Sequence, residues 1–312
     1  MFNLKVRLQA HKIRKAFGSS DRKRDAGKTT PNDICRYDNI LYGCDLKFKK
    51  WQLLDVYRPK DSDGLLPVIV IVHGGGWVYG DKDVYQFYGM SLAQRGFAVV
   101  NYSYRLAPEA QFPSSMRDTE AVFQWISENA QKYGFDTQNV FAVGDSAGGH
   151  LLSLYASAVT NPAYAENFPF IKEKPLVLRA IALNCGKYKL DAEVNADSPS
   201  VQLVKALMPG GGTSEELHLI DGTAHVTKDF PPAFIMTCQG DFLLTQAPLM
   251  TAALEKAGAK HEYRCYGSQE KPLWHVFHCD PALKEAAICN DEESDFFKKF
   301  ISKIPLAIVK TL

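Results

Sequence analysis

The 312-residue chain has no run approaching the roughly 18 apolar residues that span a bilayer. It also has no uninterrupted apolar stretch of roughly 7–15 residues near its start, as an export signal would need. Net charge is nearly absent: 36 lysines and arginines face 35 acidic residues, a formal +1. Such a balance supplies no general pull toward nucleic acid, which calls for a clustered basic surface. Metal-ligand spacings of the C-x-x-C or H-E-x-x-H kind are missing, so neither a metal nor an organic cofactor is expected. There is no internal repeat and no low-complexity tract. The seven cysteines (Cys35, Cys44, Cys185, Cys238, Cys265, Cys279 and Cys289) are odd in number and scattered. They read as reduced thiols of a cytoplasmic protein.

What is present is ordinary globular composition, 46% hydrophobic and 23% charged. A chain near 300 residues can bury about three quarters of its unfolded surface, so its core needs no staple. One basic cluster stands out: Lys5, Arg7, Lys12, Arg14, Lys15, Arg22, Lys23, Arg24 and Lys28, with Ile13 and Phe17 among them. It reads as a surface helix or arm, and no membrane partner is expected from it.

Short apolar β-branched runs recur at 67–72, 97–102, 140–143, 178–183, 233–237 and 261–266. Runs of this kind belong to strands buried on both faces. Residues 46–57 alternate as a hairpin would, with Gly64 turning into the first run. Helical patterns fill the gaps at 85–94, 114–131, 147–158, 245–257 and 281–304, the first and fourth stopped by Gly96 and Gly258. Strands alternating with helices predict an α/β fold with a mostly parallel central sheet flanked by helices. Residues 186–230 break the rhythm with Pro199, Pro209 and Gly210 to Gly212, and read as an inserted cap over a pocket.

Gly144-Asp145-Ser146-Ala147-Gly148-Gly149 lies between a strand and a helix. That is the context of a nucleophile elbow, G-x-S-x-G. The serine must project from a sharp turn, and glycines two residues to either side leave room for the crowded backbone. His73-Gly74-Gly75-Gly76-Trp77 follows the first parallel strand. Consecutive glycines let backbone N–H groups approach an oxyanion, and Gly75, Gly76 and Ala147 are the expected donors. His73 is expected to hold that loop in place. An activated serine needs a base and an acid behind the base, in chain order serine, acid, histidine. Asp241 follows the strand at 233–237, and both His275 and His278 stand where the base belongs. Asp280 is a rival acid placed too close after the histidines.

These motifs together resemble the hormone-sensitive lipase-like family of α/β-hydrolase serine esterases. The matching residues are His73 to Trp77, Tyr104-Arg-Leu-Ala-Pro-Glu109, Phe112-Pro113, Gly144 to Gly149, Asp241-Phe-Leu243 and His275-Val-Phe277, in family order over roughly residues 40–300. The resemblance implies Ser146 as nucleophile, Asp241 as acid and His275 as base, with Gly75, Gly76 and Ala147 in the oxyanion hole. It implies structural roles for Arg105 and Glu109. It implies a catalytic domain of residues 39–185 and 231–312, with 186–230 and the basic arm of 1–38 forming a cap. Val276 stands where the family usually has glycine, and Trp77 replaces a commoner phenylalanine. Trp77 and Trp274 are the expected pocket walls. The expected activity is hydrolysis of short-chain, acetyl-type esters through an acyl-enzyme. A peptidase or amidase, a lipase for longer chains and a non-catalytic ligand receptor are the alternatives. The partner is a small-molecule ester, with a homodimer left open.

Overall fold

Within the strand Leu66–Val72, side chains alternate between two cores. Val68, Val70 and Val72 face one, and Ile69 and Ile71 face the other. A strand apolar on both sides must be covered on both sides, and this alternation organises the molecule. The protein is seen in a computed structural model that describes residues 4–172, 175–190 and 198–302.

In chain order, helix α1 (Leu4–Asp25) precedes strand β1 (Ile34–Leu41), a 3₁₀ turn (Leu46–Trp51) and strand β2 (Leu53–Pro59). Then come β3 (Leu66–Val72), α2 (Gln86–Ala93), β4 (Ala98–Tyr102), α3 (Ser114–Tyr133), β5 (Phe135–Asp145) and α4 (Ala147–Thr160). A single turn, α5 (Pro162–Ala165), leads to β6 (Leu178–Asn184). The inserted segment contributes α6 (Pro199–Leu207) and α7 (Ser214–Leu219). The chain returns through β7 (Ala233–Cys238), α8 (Gln246–Ala257), β8 (His261–Tyr266) and α9 (Lys284–Lys298). Of the expected elements, residues 191–197 of the insertion and 303–304 of the last helix lie outside the described residues.

The eight strands form one sheet in the order β1-β2-β4-β3-β5-β6-β7-β8. The pairs β1–β2 and β2–β4 are antiparallel, and every later pair is parallel. Met116, Phe123 and Ile126 of α3, Leu151 and Leu154 of α4, and Met250 and Leu254 of α8 join the core on one face. Met90 and Leu92 of α2, with Phe296 and Phe297 of α9, join the core on the other. The sheet is that of an α/β hydrolase.

The expected hairpin within 46–57 is corrected. Phe48 and Trp51, three residues apart, stack at 5.8 Å in the 3₁₀ turn, where such positions eclipse. Asp45 caps that turn by accepting from the Lys47 amide. The true partner of β2 is β1, an edge strand whose middle residues, Tyr37 to Asn39, are exposed. Charged, exposed edges carry little apolar patterning. Among the described residues, no helix is long and apolar enough to cross a membrane.

Candidate active site

β5 runs into α4 with only Ser146 between them. Ser146 has φ 50° and ψ −118°, a backbone that L-residues seldom adopt. The bend is held from outside: the Ser146 amide donates to the Asn184 carbonyl at 3.0 Å, and the Lys187 amide donates to the Ser146 carbonyl at 3.1 Å. The motif's glycines are sterically required. A Cβ on Gly148 would stand 2.0 Å from the Val72 carbonyl oxygen, and one on Gly144 would stand 2.6 Å from the Gly148 oxygen. Ala147 is the first residue of α4, where an amide has no partner within the helix.

Gly75 and Gly76 have φ of 114° and 59°. The Gly75 carbonyl accepts from the amides of Val78 and Tyr79, curling the chain after β3. His73 is buried at the root of this curl. Its Nδ1 donates to the Gly74 carbonyl at 2.8 Å, and its ring stacks on Tyr104 at 4.0 Å. Burial pushes its pKa down to about 4, against the pull of the Gly74 carbonyl. The loop-holding role expected for His73 agrees with these contacts.

On the far side of the site, His275 Nδ1 donates to Asp241 Oδ1 at 2.7 Å. Asp241 also accepts from Thr237 Oγ1 at 3.0 Å and from the Leu243 amide at 2.8 Å. Burial acts to raise the Asp241 pKa, but the bond and charge of His275 and the Leu243 amide outweigh it and hold the carboxyl below its usual 3.8. The Phe242 ring lies 4.3 Å from the His275 ring. His278 is fully buried, edge-on to Tyr88 at 5.0 Å, and burial pushes its pKa down to about 3. Asp280 is taken up by Lys28 at 2.7 Å. The alternative base and the rival acid are thus both occupied elsewhere.

A cavity of about 220 Å³ joins these groups. Ser146, Gly75 and His275 line it, with Asp145, Tyr85 and Phe242. Gly76 and Ala147 adjoin lining residues in the chain but do not line it themselves. Two expected walls are corrected. Trp77 is buried in the core, its indole N–H donating to His150 Nδ1 at 3.1 Å. Trp274 is exposed and is not among the lining residues. The insertion at 186–230 supplies no lining residue among those described; α6 packs against α1 through Ala206 and Leu203 instead. It is α1 that closes the cavity, with Phe17, Ser20, Asp21 and Arg24. Arg105 pairs with Asp118 and Glu109 with Arg14, as structural residues would.

Two further residues went unread in the sequence. Tyr85 receives the Gly74 amide on its hydroxyl at 2.8 Å and donates to Asp145 Oδ2 at 2.7 Å. Burial raises the Asp145 pKa to about 6, partly offset by the Tyr85 bond and the charge of His275. Asp145 could have been found by its place beside Ser146, whereas Tyr85 carries no local signal. Cys185, Asp241 and His275 place ligand-type atoms within 4.8 Å of one another, the one such group among the described residues. The Asp241–His275 bond already engages two of the three.

Residues 54–253 match the BD-FAE family model. The chain belongs to the BD-FAE family. Among curated relatives, versiconal hemiacetal acetate esterase of Dothistroma septosporum is 27% identical over 251 residues, covering 75% of this chain and 73% of that protein. Carboxylesterase NlhH of Mycobacterium tuberculosis is 29% identical over 211 residues, 66% of each chain. Esterase LipC of the same organism is 35% identical over 132 residues, but the match spans only 32% of that protein. Among solved structures, esterase B of Lactobacillus rhamnosis matches with a TM-score of 0.84 at 24% identity, covering 95% of this chain and 96% of that one. An esterase of Pyrobaculum calidifontis matches with a TM-score of 0.72 at 21% identity, covering 93% of this chain and 92% of that one. This BD-FAE protein is therefore a carboxylic ester hydrolase of the α/β-hydrolase fold, in the hormone-sensitive lipase-like group.

Proposed function

We propose that this protein is a serine carboxylesterase acting on short-chain, acetyl-type esters through Ser146, His275 and Asp241. The observation that carries the reading is the 2.7 Å bond from His275 to Asp241 in a cavity that also holds Ser146. Ser146 Oγ attacks the ester carbonyl while His275 Nε2 takes its proton. Asp241 holds the tautomer and stabilises the imidazolium. Amides of Gly75, Gly76 and Ala147 receive the charge developing on the carbonyl oxygen. The alcohol leaves with the proton from His275, and water repeats the sequence on the acyl-enzyme. No metal or organic cofactor takes part in these steps.

The size of the cavity supports a small acyl group. At about 220 Å³ it falls below the roughly 300–1,000 Å³ of pockets for drug-sized ligands. The acetate ester in the name of the Dothistroma relative and the tributyrin phosphonate that inhibits the Lactobacillus esterase agree with short acyl chains. We assign α1 and the 186–230 segment to the cap, α1 as its cavity wall and α6 as its backing. The seven cysteines, all free, support a cytoplasmic location.

The test is a p-nitrophenyl ester panel from acetyl to decanoyl, run beside aminoacyl anilides and fluorophosphonate labelling. Acetyl or butyryl esters should turn over fastest, and the label should be lost in Ser146→Ala. Preference for anilides, or labelling that survives in Ser146→Ala, would overturn the reading.

A further inference from the structure

The charge of this protein is balanced in sum but not in space. Its first 28 residues carry nine of the 36 lysines and arginines and only two of the 35 acidic residues. No acidic residue occurs between Leu4 and Ser20. In the structure this excess is laid out along α1, a 22-residue helix of about 33 Å. The inner side of α1 is spoken for. Val6 and Ala10 are buried, Arg14 is bonded to Glu109, Asp21 to Tyr79, and Arg24 to the Val84 carbonyl. The outer side is not. Arg7, Lys12, Lys15, Arg22 and Lys23 are exposed, and none of them makes an ion pair among the described residues.

The same outer side carries Leu4 and Leu8, 70% and 49% exposed. Positions 4, 8, 11, 15 and 22 follow helical spacing, so two leucines, His11, Lys15 and Arg22 form one outward ridge.

We propose that α1 docks this protein on an anionic lipid bilayer through its outer side. Cations along a helix combined with exposed leucines suit a headgroup layer over an acyl boundary. A nucleic acid would use the cations but would leave Leu4 and Leu8 without a role. The cytoplasmic leaflet carries the required negative charge. Docking there would hold the protein at a surface where membrane-partitioned esters gather, with α1 serving as both wall and anchor. The docking surface stands apart from the esterase chemistry, so it is tested without turnover.

The experiment is co-sedimentation of the full chain with vesicles of phosphatidylcholine alone or with about one third phosphatidylglycerol, at low and high salt. Binding should appear on the anionic vesicles and be lost at high salt. Each cation near such a surface contributes about fivefold, so Lys12→Gln/Lys15→Gln/Arg22→Gln should bind about a hundredfold more weakly. Its hydrolysis of dissolved p-nitrophenyl acetate should be unchanged. Leu4→Ser/Leu8→Ser should weaken vesicle binding. Equal binding to both vesicle types, or none to either at low salt, overturns the proposal. A DNA duplex bound as tightly as the anionic vesicles overturns it in favour of a general polyanion site.

Discussion

His275 Nδ1 lies 2.7 Å from Asp241 Oδ1, whereas His278, three residues later, is sealed against Tyr88. The two histidines therefore differ in what their loss should do. His275→Ala should lower kcat by about 10⁴ or more with the fold intact, as loss of a triad member does. His278→Asn should keep most of its turnover and lose stability instead, because a buried ring is removed from the core. Steady-state kinetics with p-nitrophenyl acetate, beside thermal melts, separate the two. A dead His278→Asn with an active His275→Ala would reverse the assignment.

Tyr85 should matter more than its distance in sequence suggests. Its hydroxyl is the acceptor for the buried Gly74 amide and the donor to Asp145, which precedes Ser146. Tyr85→Phe leaves that amide unpaired, at about 1–3 kcal/mol. Spent on the geometry of the glycine loop, this is a fall of about 5- to 150-fold in kcat. KM should stay nearly constant, since the ring itself remains. A change confined to KM would place Tyr85 in substrate binding rather than in positioning the loop.

The two glycine motifs were legible because their chemistry is contiguous: strand, turn and helix follow one another, and only glycine fits beside Val72 and Gly148. The parallel strands were legible because burial on both faces leaves uninterrupted β-branched runs. What joins distant segments was not. Tyr85 and Asp145 are 60 residues apart, and nothing local in either announces the other. Arg24 reads as one more charge on a basic arm, and Asp21 carries no signal of its own, until α1 is folded over the cavity. For Trp77 the family resemblance implies a pocket wall, while here its indole is satisfied by His150 in the core.

Glu293 makes stability depend on pH. It is fully buried, bonded by Tyr88 at 2.7 Å and Asn184 at 2.6 Å, and burial lifts its pKa from 4.5 to about 7 against those two bonds. Between these values the folded state holds the proton more tightly than the unfolded one. Its stabilising effect is therefore full below about pH 4.5 and is lost as pH rises through about 7, a swing on the order of 3 kcal/mol. Urea titrations of the parent and Glu293→Gln at pH 5 and 8 isolate this group. The variant should gain stability relative to the parent as pH rises. A constant difference would mean that Glu293 titrates alike in both states.

Arg14 tests whether α1 is a wall of the site or only a passenger on it. Its guanidinium donates to the Val78 carbonyl at 2.8 Å, to the Ala107 carbonyl at 3.0 Å and to both oxygens of Glu109. The ion pair is partly exposed, so solvent screens most of its worth. The two carbonyl bonds should carry the effect, since they tie the helix to the loop that follows Gly75 and Gly76 at Val78 and to the loop that follows β4 at Ala107. Arg14→Ala should cost about 1–2 kcal/mol, a fall of a few degrees in Tm for a chain of this size. Glu109→Gln, which leaves the carbonyl bonds in place, should cost less. If α1 shapes the cavity, Arg14→Ala should also raise KM severalfold for short esters while kcat changes little, because Phe17, Ser20 and Asp21 loosen but Ser146 does not move. Melting that falls with KM unmoved would leave α1 a stabilising strap with no part in substrate binding.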